Sequence, residues 1–195
     1  MSGGTCARIA GNVFCWGRND TGQLGDGSTM NRPFPVQAQV SNVVDIVAGA
    51  FFTCARIGDA LRCWGKNDSG QLGDGSTMNR PSPVQVLAST QPSTALNGVT
   101  QLMVGAAHVC TRRGSQVECW GNNENGQLGD GQMGAATDRA LPGDVQLAGG
   151  VMLANAIDVG SGSSAIATCA RLDTGENVCW GLNMTTAMSA PLSCE

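Results

Sequence analysis

The sequence predicts an all-β fold: a β-propeller, or a segment of one, of about four blades, each blade a short four-stranded antiparallel sheet. Three observations carry this expectation. The tripeptide Cys-Trp-Gly recurs, beginning at Cys15, Cys63, Cys119 and Cys179, at intervals of 48, 56 and 60 residues. The hexapeptide Gly-Gln-Leu-Gly-Asp-Gly recurs at 22–27, 70–75 and 126–131. No stretch sustains the 3.6-residue apolar period of a helix, which excludes a helical solenoid.

One unit can be parsed from the second copy. Val43 to Ala48 is a β-branched run stopped by Gly49, Phe52 to Ile57 a second strand, and Ala60 to Trp64 a third. The turn-rich block Asn67 to Gly75 follows, and Pro83 to Leu87 makes a short fourth strand. Proline cannot donate to a ladder, so that strand belongs at an edge. The chain then reads as a single repeat domain over 1–195, with repeats at approximately 1–41, 42–97, 98–150 and 151–195. The first repeat lacks its leading strand. In the fourth, the Gly-Gln-Leu-Gly block has become Thr186-Ala187-Met188-Ser189, and Met188 is expected to keep the apolar plug that Leu24 provides in the first.

Eight of the nine cysteines fall into pairs: Cys6/Cys15, Cys54/Cys63, Cys110/Cys119 and Cys169/Cys179. The first three pairs are nine residues apart, the separation that places residues opposite each other across a two-residue hairpin turn. The turns would be Ala10-Gly11, Gly58-Asp59 and Gly114-Ser115. The fourth pair is ten apart, which requires a three-residue loop, Asp173-Thr174-Gly175, with the glycine third, where a left-handed residue is wanted. Turn chemistry changes in step with spacing. Facing Cα atoms lie ~4.5–5.5 Å apart, within disulfide reach. Oxidised pairs imply an extracellular, periplasmic or cell-surface location. The alternatives are reduced, packed cysteines or zinc, the latter disfavoured by the spacing and by a single histidine. Cys194 is left over.

The remaining composition narrows the function classes. The net charge is −4 and Lys plus Arg number 11, with Arg112 and Arg113 the only adjacent pair. That excludes the basic stripe of a nucleic-acid binder. No apolar run reaches the ~20 residues of a membrane helix. No basic and apolar leader precedes the first repeat, so a signal peptide is either removed or lies upstream.

Several recurring side chains could be structural or functional. Trp16, Trp64, Trp120 and Trp180 occupy one strand position in every copy, as expected of aromatics packed between blades. Leu24, Leu72 and Leu128 read as plugs, with Gln23, Gln71, Gln127 and the nearby aspartates bonding turn backbone. A calcium loop is the sharper reading of those carboxylates, but they do not alternate as calcium ligands do. Arg8, Arg56, Arg112 and Arg171 each stand two residues after the first cysteine of a pair. They would form an arc for a carboxylate-bearing partner, or pair with aspartates of neighbouring blades. His108 is replaced by Phe52 and Ala167 at matching positions, so it is not a base or ligand repeated in each blade. No nucleophile–base constellation can be named.

The pattern Thr-Cys-Ala-Arg…Cys-Trp-Gly-x-Asn-x-x-Gly-Gln-Leu-Gly-Asp-Gly, followed by Arg-x-x-Pro at Arg32/Pro35, Arg80/Pro83 and Arg139/Pro142, resembles the regulator of chromosome condensation repeat family. The cysteine pair is similar to a variant found in secreted bacterial members. The resemblance implies a propeller, usually of seven blades. Four copies leave three arrangements open: a small closed ring, an arc that self-associates to complete the propeller, or a fragment of a longer one. The function expected is a non-catalytic, secreted or surface-displayed protein-interaction scaffold, with no cofactor and no metal. The segments Ala88 to Gly98 and Gln132 to Gly150, which lengthen the later repeats, are candidate contact loops. Alternatives are a guanine-nucleotide exchange factor-like regulator of a small GTPase, and an enzyme inhibitor or lectin-type binder.

Overall fold

The structure, a computed structural model, describes residues 4–161, 166–181 and 184–190, with no side-chain detail for Ser161 or for 184–190. Its strands are β1 (Thr5–Ile9), β2 (Asn12–Gly17), β3 (Arg32–Gln37), β4 (Asp45–Ala48), β5 (Phe52–Ile57), β6 (Ala60–Gly65), β7 (Arg80–Gln85), β8 (Leu87–Thr90), β9 (Ser93–Ala95), β10 (Val99–Val104), β11 (His108–Arg113), β12 (Gln116–Gly121), β13 (Arg139–Asp144), β14 (Ala156–Ser161), β15 (Ala167–Leu172), β16 (Asn177–Gly181) and β17 (Met184–Ala190). A single 3-10 turn, Ala135–Thr137, is the one helical element among the described residues. Strands pair with their sequence neighbours throughout, giving the sheets β1-β2-β3, β4-β5-β6-β7, β10-β11-β12-β13 and β14-β15-β16-β17, and a small hairpin β8-β9. Among the described residues the first sheet has three strands and the other three large sheets have four.

The paired cysteines face each other in all four hairpins. Cys6 opposes Cys15, Cys54 opposes Cys63, Cys110 opposes Cys119 and Cys169 opposes Cys179. Each pair is disulfide-bonded, with Cα atoms 4.0 to 4.1 Å apart, slightly closer than expected. The two-residue turns fall where spacing placed them, since Ile9 opposes Asn12, Ile57 opposes Ala60 and Arg113 opposes Gln116. In the fourth hairpin Leu172 N–H donates to Glu176 O and Gly175 N–H to Leu172 O, closing the three-residue loop on a left-handed Gly175.

The fourth strands are edge strands, but they begin earlier than their prolines suggest. The second-blade strand is Arg80–Gln85 rather than Pro83 to Leu87. Its first residue is held by an ion pair with Asp74 at 2.8 Å, which extends the pairing upstream. The ladder is irregular here: between the pairs Cys63↔Val84 and Gly65↔Arg80, the fourth strand carries two more residues than the third. Strand β13 likewise runs Arg139–Asp144, so much of the segment Gln132 to Gly150 is ordinary blade rather than insertion. Met188 lies in strand β17 opposite Cys179, so it does not occupy the loop position that Leu24 fills. Cys194 lies outside the described residues.

The core sits between blades, not within them. Three buried clusters each join a leucine of one block to the tryptophan of the next blade: Leu24 with Trp64, Leu72 with Trp120, and Leu128 with Trp180. All six side chains are fully buried. A sheet this small cannot bury its faces alone, so neighbouring blades stabilise one another. Each hairpin is in addition cross-linked through a short loop. Replacing Cys54 and Cys63 together by serine is expected to lower unfolding free energy by about 2–3 kcal/mol in urea denaturation.

Candidate functional site: the two rims

A blade of four antiparallel strands has two ends. One carries the turn between second and third strands: Ala10-Gly11, Gly58-Asp59, Gly114-Ser115 and Asp173-Thr174-Gly175. The other carries the Gly-Gln-Leu-Gly blocks between third and fourth strands. The block rim is built for rigidity. A buried asparagine sits at the centre of each block: Asn19, Asn67 and Asn123. Asn19 Oδ1 accepts from Leu24 N–H at 2.9 Å, while its Nδ2 donates to Ser28 O and Met30 O at 3.0 Å. Asn67 Oδ1 accepts from Leu72 N–H at 2.8 Å and its Nδ2 donates to Ser76 O at 3.0 Å. Asn123 Oδ1 accepts from Leu128 N–H at 3.0 Å and Nδ2 donates to Thr137 Oγ1 at 2.9 Å. One side chain thus satisfies buried backbone on both arms of the loop. An asparagine among glycines reads as a turn residue, so sequence reasoning passed over it; its recurrence two residues after every Cys-Trp-Gly was the available signal.

The carboxylates of the block are used internally. Asp26, Asp74 and Asp130 accept from the N–H two residues ahead, at 3.0 Å in each case. Each also pairs with an arginine of its own blade, Arg32, Arg80 and Arg139 respectively. Burial acts to raise the carboxyl pKa of Asp26 and Asp74. Hydrogen bonds from Ser28 and Arg32, and from Ser76 and Arg80, outweigh it and hold both below the ordinary carboxylate value. Gln23, Gln71 and Gln127 accept, through Oε1, from the N–H of Thr21, Ser69 and Asn125. Among the described residues no group of three or more His, Cys, Asp or Glu could hold a metal ion.

Each block also grips the following blade. Trp64 Nε1–H donates to Gln23 O at 3.0 Å, Trp120 to Gln71 O at 3.1 Å and Trp180 to Gln127 O at 3.0 Å. The indoles lie so close to Gly25, Gly73 and Gly129 that a Cβ there would come within 2.6 to 2.7 Å of the ring. These glycines also have positive φ, so they are required twice over. Gly27 and Gly75 donate to Pro81 O and Ala140 O of the next blade. Trp16, in the first blade, is half-buried.

The hairpin rim is where the sequence places its arginine arc. Arg56 and Arg112 are half-buried, and each donates through Nη1 to the carbonyl of its own turn glycine, Gly58 at 2.9 Å and Gly114 at 2.6 Å. Arg8 and Arg171 are exposed. The alternative expectation for these four, pairing with aspartates of other blades, is not met among the described residues; the arginines that pair with the block aspartates are Arg32, Arg80 and Arg139. The segment after β7 folds as the β8-β9 hairpin, which brings Thr90 against Gly75 of the block, buries Leu96 and returns to this rim where Gly98 N–H bonds Asp59 at 3.0 Å. Two open grooves, of about 630 and 640 Å³, lie along the outer side. One is lined by Gln37 to Ser41 with Ile57 and Arg62, the other by Thr90 and residues 138–144. Neither brings a histidine to a hydroxyl. His108 is fully buried between blades instead.

Comparison with known proteins fits this architecture. The sequence profile of the "Regulator of chromosome condensation (RCC1) repeat" matches residues 10–56, 61–111 and 116–167. The chain belongs to the regulator of chromosome condensation repeat family. Like other RCC1-repeat chains of known structure, it is a β-propeller architecture. It superposes on Prp20p of Saccharomyces cerevisiae with a TM-score of 0.75 at 22% identity, covering 100% of this chain and 49% of that one. Human WBSCR16 gives a TM-score of 0.73 at 16% identity, covering 94% and 48%. The Ultraviolet-B receptor UVR8 of Arabidopsis thaliana is 30% identical over 154 residues, covering 75% of this chain and 33% of the plant protein. This RCC1-repeat chain therefore spans about half the length of the solved relatives.

The indole lock has a measurable energy. Trp120→Phe keeps an aromatic ring but leaves Gln71 O buried without its donor. It is expected to cost about 1–3 kcal/mol in equilibrium unfolding. Asn67→Asp, which keeps the acceptor for Leu72 N–H but loses the donor to Ser76 O and adds a charge beside Asp74, is expected to cost at least as much.

Proposed function

We propose that this RCC1-repeat chain is a non-catalytic protein-binding scaffold that works in an oxidising setting, secreted or displayed at a cell surface. The observation that carries the reading is the set of four disulfide-bonded hairpins, one per blade. Such bonds persist outside the reducing cytosol. The resemblance of the cysteine pairs to those of secreted bacterial members supports the same setting. The block rim spends its aspartates on its own backbone and arginines, whereas Arg8 and Arg171, which follow the first cysteine of their hairpins, are exposed. The hairpin rim is the surface we assign to a partner bearing carboxylates. Solved relatives supply a precedent for protein partners: yeast Prp20 is seen bound to Kap60, and Prp20p is described by its binding to Gsp1p and histones. Self-association belongs to the same reading, since one copy spans about half of a solved relative.

A second reading, a guanine-nucleotide exchange factor-like regulator of a small GTPase, is favoured by family membership itself. One pair of experiments separates the two. Protein isolated from its source without reductant and treated with a thiol reagent is expected to show eight blocked cysteines, read by mass spectrometry. Extensive labelling of those eight would end the secreted reading. In parallel, the protein is expected to leave GDP release from purified small GTPases of its source unchanged; acceleration of tenfold or more would replace the scaffold reading with the exchange reading. For a partner cross-linked at the hairpin rim, the R8E/R171E variant, changed only at the two exposed arginines, is expected to bind at least tenfold more weakly with unchanged folding by circular dichroism.

A further inference from the structure

The chain's single histidine stands at the joint between the third and fourth blades. His108 opens β11 and is fully buried. Its Nε2 lies 2.9 Å from Thr168 Oγ1 on β15, and that hydroxyl is 3.9 Å from Cys110 Sγ. Its Nδ1 is buried with no hydrogen-bond partner among the described residues. One joint earlier, the same place is filled differently. Phe52 opposes Gly65 as His108 opposes Gly121, and Val109 opposes Trp120 as Thr168 opposes Trp180. Phe52 and Val109 are both fully buried and apolar. An apolar pair therefore suffices for packing at this position, and the third–fourth joint carries an imidazole and a hydroxyl in its stead.

We propose that His108 makes the joint between the third and fourth blades acid-labile, so that protonating its buried ring loosens the fourth blade while the earlier joints hold. Among the described residues no carboxylate is hydrogen-bonded to the imidazole to receive the charge. β10 presents only Thr100 and Gln101 as polar groups, and β12 carries Glu118, which is bonded to Arg113 at 3.1 Å. β14 carries Asp158, bonded to Gln101, and β15 carries Arg171. None of these hydrogen-bonds to the imidazole. Burial alone lowers the pKa of His108 from 6.5 to about 4. Once the blades part, the ring regains its ordinary value, so between about pH 6.5 and 4 the opened state binds the extra proton. Joint stability is then constant above that window and falls on acidification through it. Across the whole window the opening equilibrium shifts by two to three powers of ten, at tenfold per pKa unit.

Other groups do not mimic this. Asp26 and Asp74 have lowered pKa values, so their stabilisation is lost only below the ordinary aspartate range. Burial raises the pKa of Glu118, helped by Asp144 and opposed by Arg113, so acidification just above its ordinary value stabilises the fold, opposite in sign to His108. Comparing the wild type with His108→Phe, the residue used one joint earlier, removes both contributions.

The test is amide hydrogen exchange at pH 7.0 and 4.5, corrected for intrinsic rates, on wild type and H108F. Wild type is expected to lose at least tenfold protection in β11, β12, β15 and β16 at pH 4.5, with β5 and β6 unchanged, and H108F to lose none. Equal loss in H108F, or loss spread evenly over all blades, would overturn the proposal. Should H108F fold poorly, the imidazole Cε1–H of the wild type, titrated by NMR, decides. A midpoint below 5 upholds the proposal and one at 5 or above refutes it.

Discussion

The rest of the molecule depends on a hydrogen bond that crosses from one blade to the next. The carbonyl of a block glutamine accepts the indole N–H of the following tryptophan, and a glycine two residues later lets the ring lie flat against the loop. Neither partner belongs to a finished structure on its own. The sheets are of three or four strands, and the largest apolar groups of the core are shared between neighbours. Stability in such a chain is a sum over joints, each contributing through burial of one leucine and one tryptophan. The disulfides act on a different scale. They fix the register of each hairpin, which fixes where the indole emerges, but they do not connect blades.

This division of labour shapes where function can reside. At the block rim the asparagines, the aspartates and the glutamine Oε1 atoms are spent on their own loop or on the arginine that opens the fourth strand. A partner approaching there meets Asp26, Asp74 and Asp130 already engaged by arginine. The hairpin rim has shorter turns, exposed arginines and a variable segment between blades. Variation there leaves the indole hydrogen bonds in place, although Leu96 of the segment after β7 packs in the cluster that holds Leu72 and Trp120.

Much of this was legible because the constraints are local and repeated. A nine-residue cysteine separation with a glycine in the turn leaves few geometries but a two-residue hairpin. The ten-residue separation of Cys169 and Cys179, with Gly175 third in the loop, identified its own exception. Trp64, Trp120 and Trp180 and the leucines Leu24, Leu72 and Leu128 could be placed between blades because an architectural need recurs at each joint. What escaped were features set by distant partners. The fourth strands begin at Arg80 and Arg139 because those guanidiniums pair with Asp74 and Asp130, which no β-propensity encodes. The asparagine hub was hidden because a side chain bonding three backbone groups looks, in sequence, like any turn asparagine. Met188 kept the spacing of a plug, yet without the glycines that form the loop its segment joins the sheet as β17.

The indole lock is tested most directly by solvent exchange of the tryptophan side-chain N–H groups, followed by ¹⁵N–¹H correlation spectra in D₂O. If each joint is closed as described, the Nε1–H signals of Trp64, Trp120 and Trp180 persist for hours at neutral pH. Disappearance of any of the three within the dead time of the experiment, in protein whose hairpin amides remain protected, would contradict it.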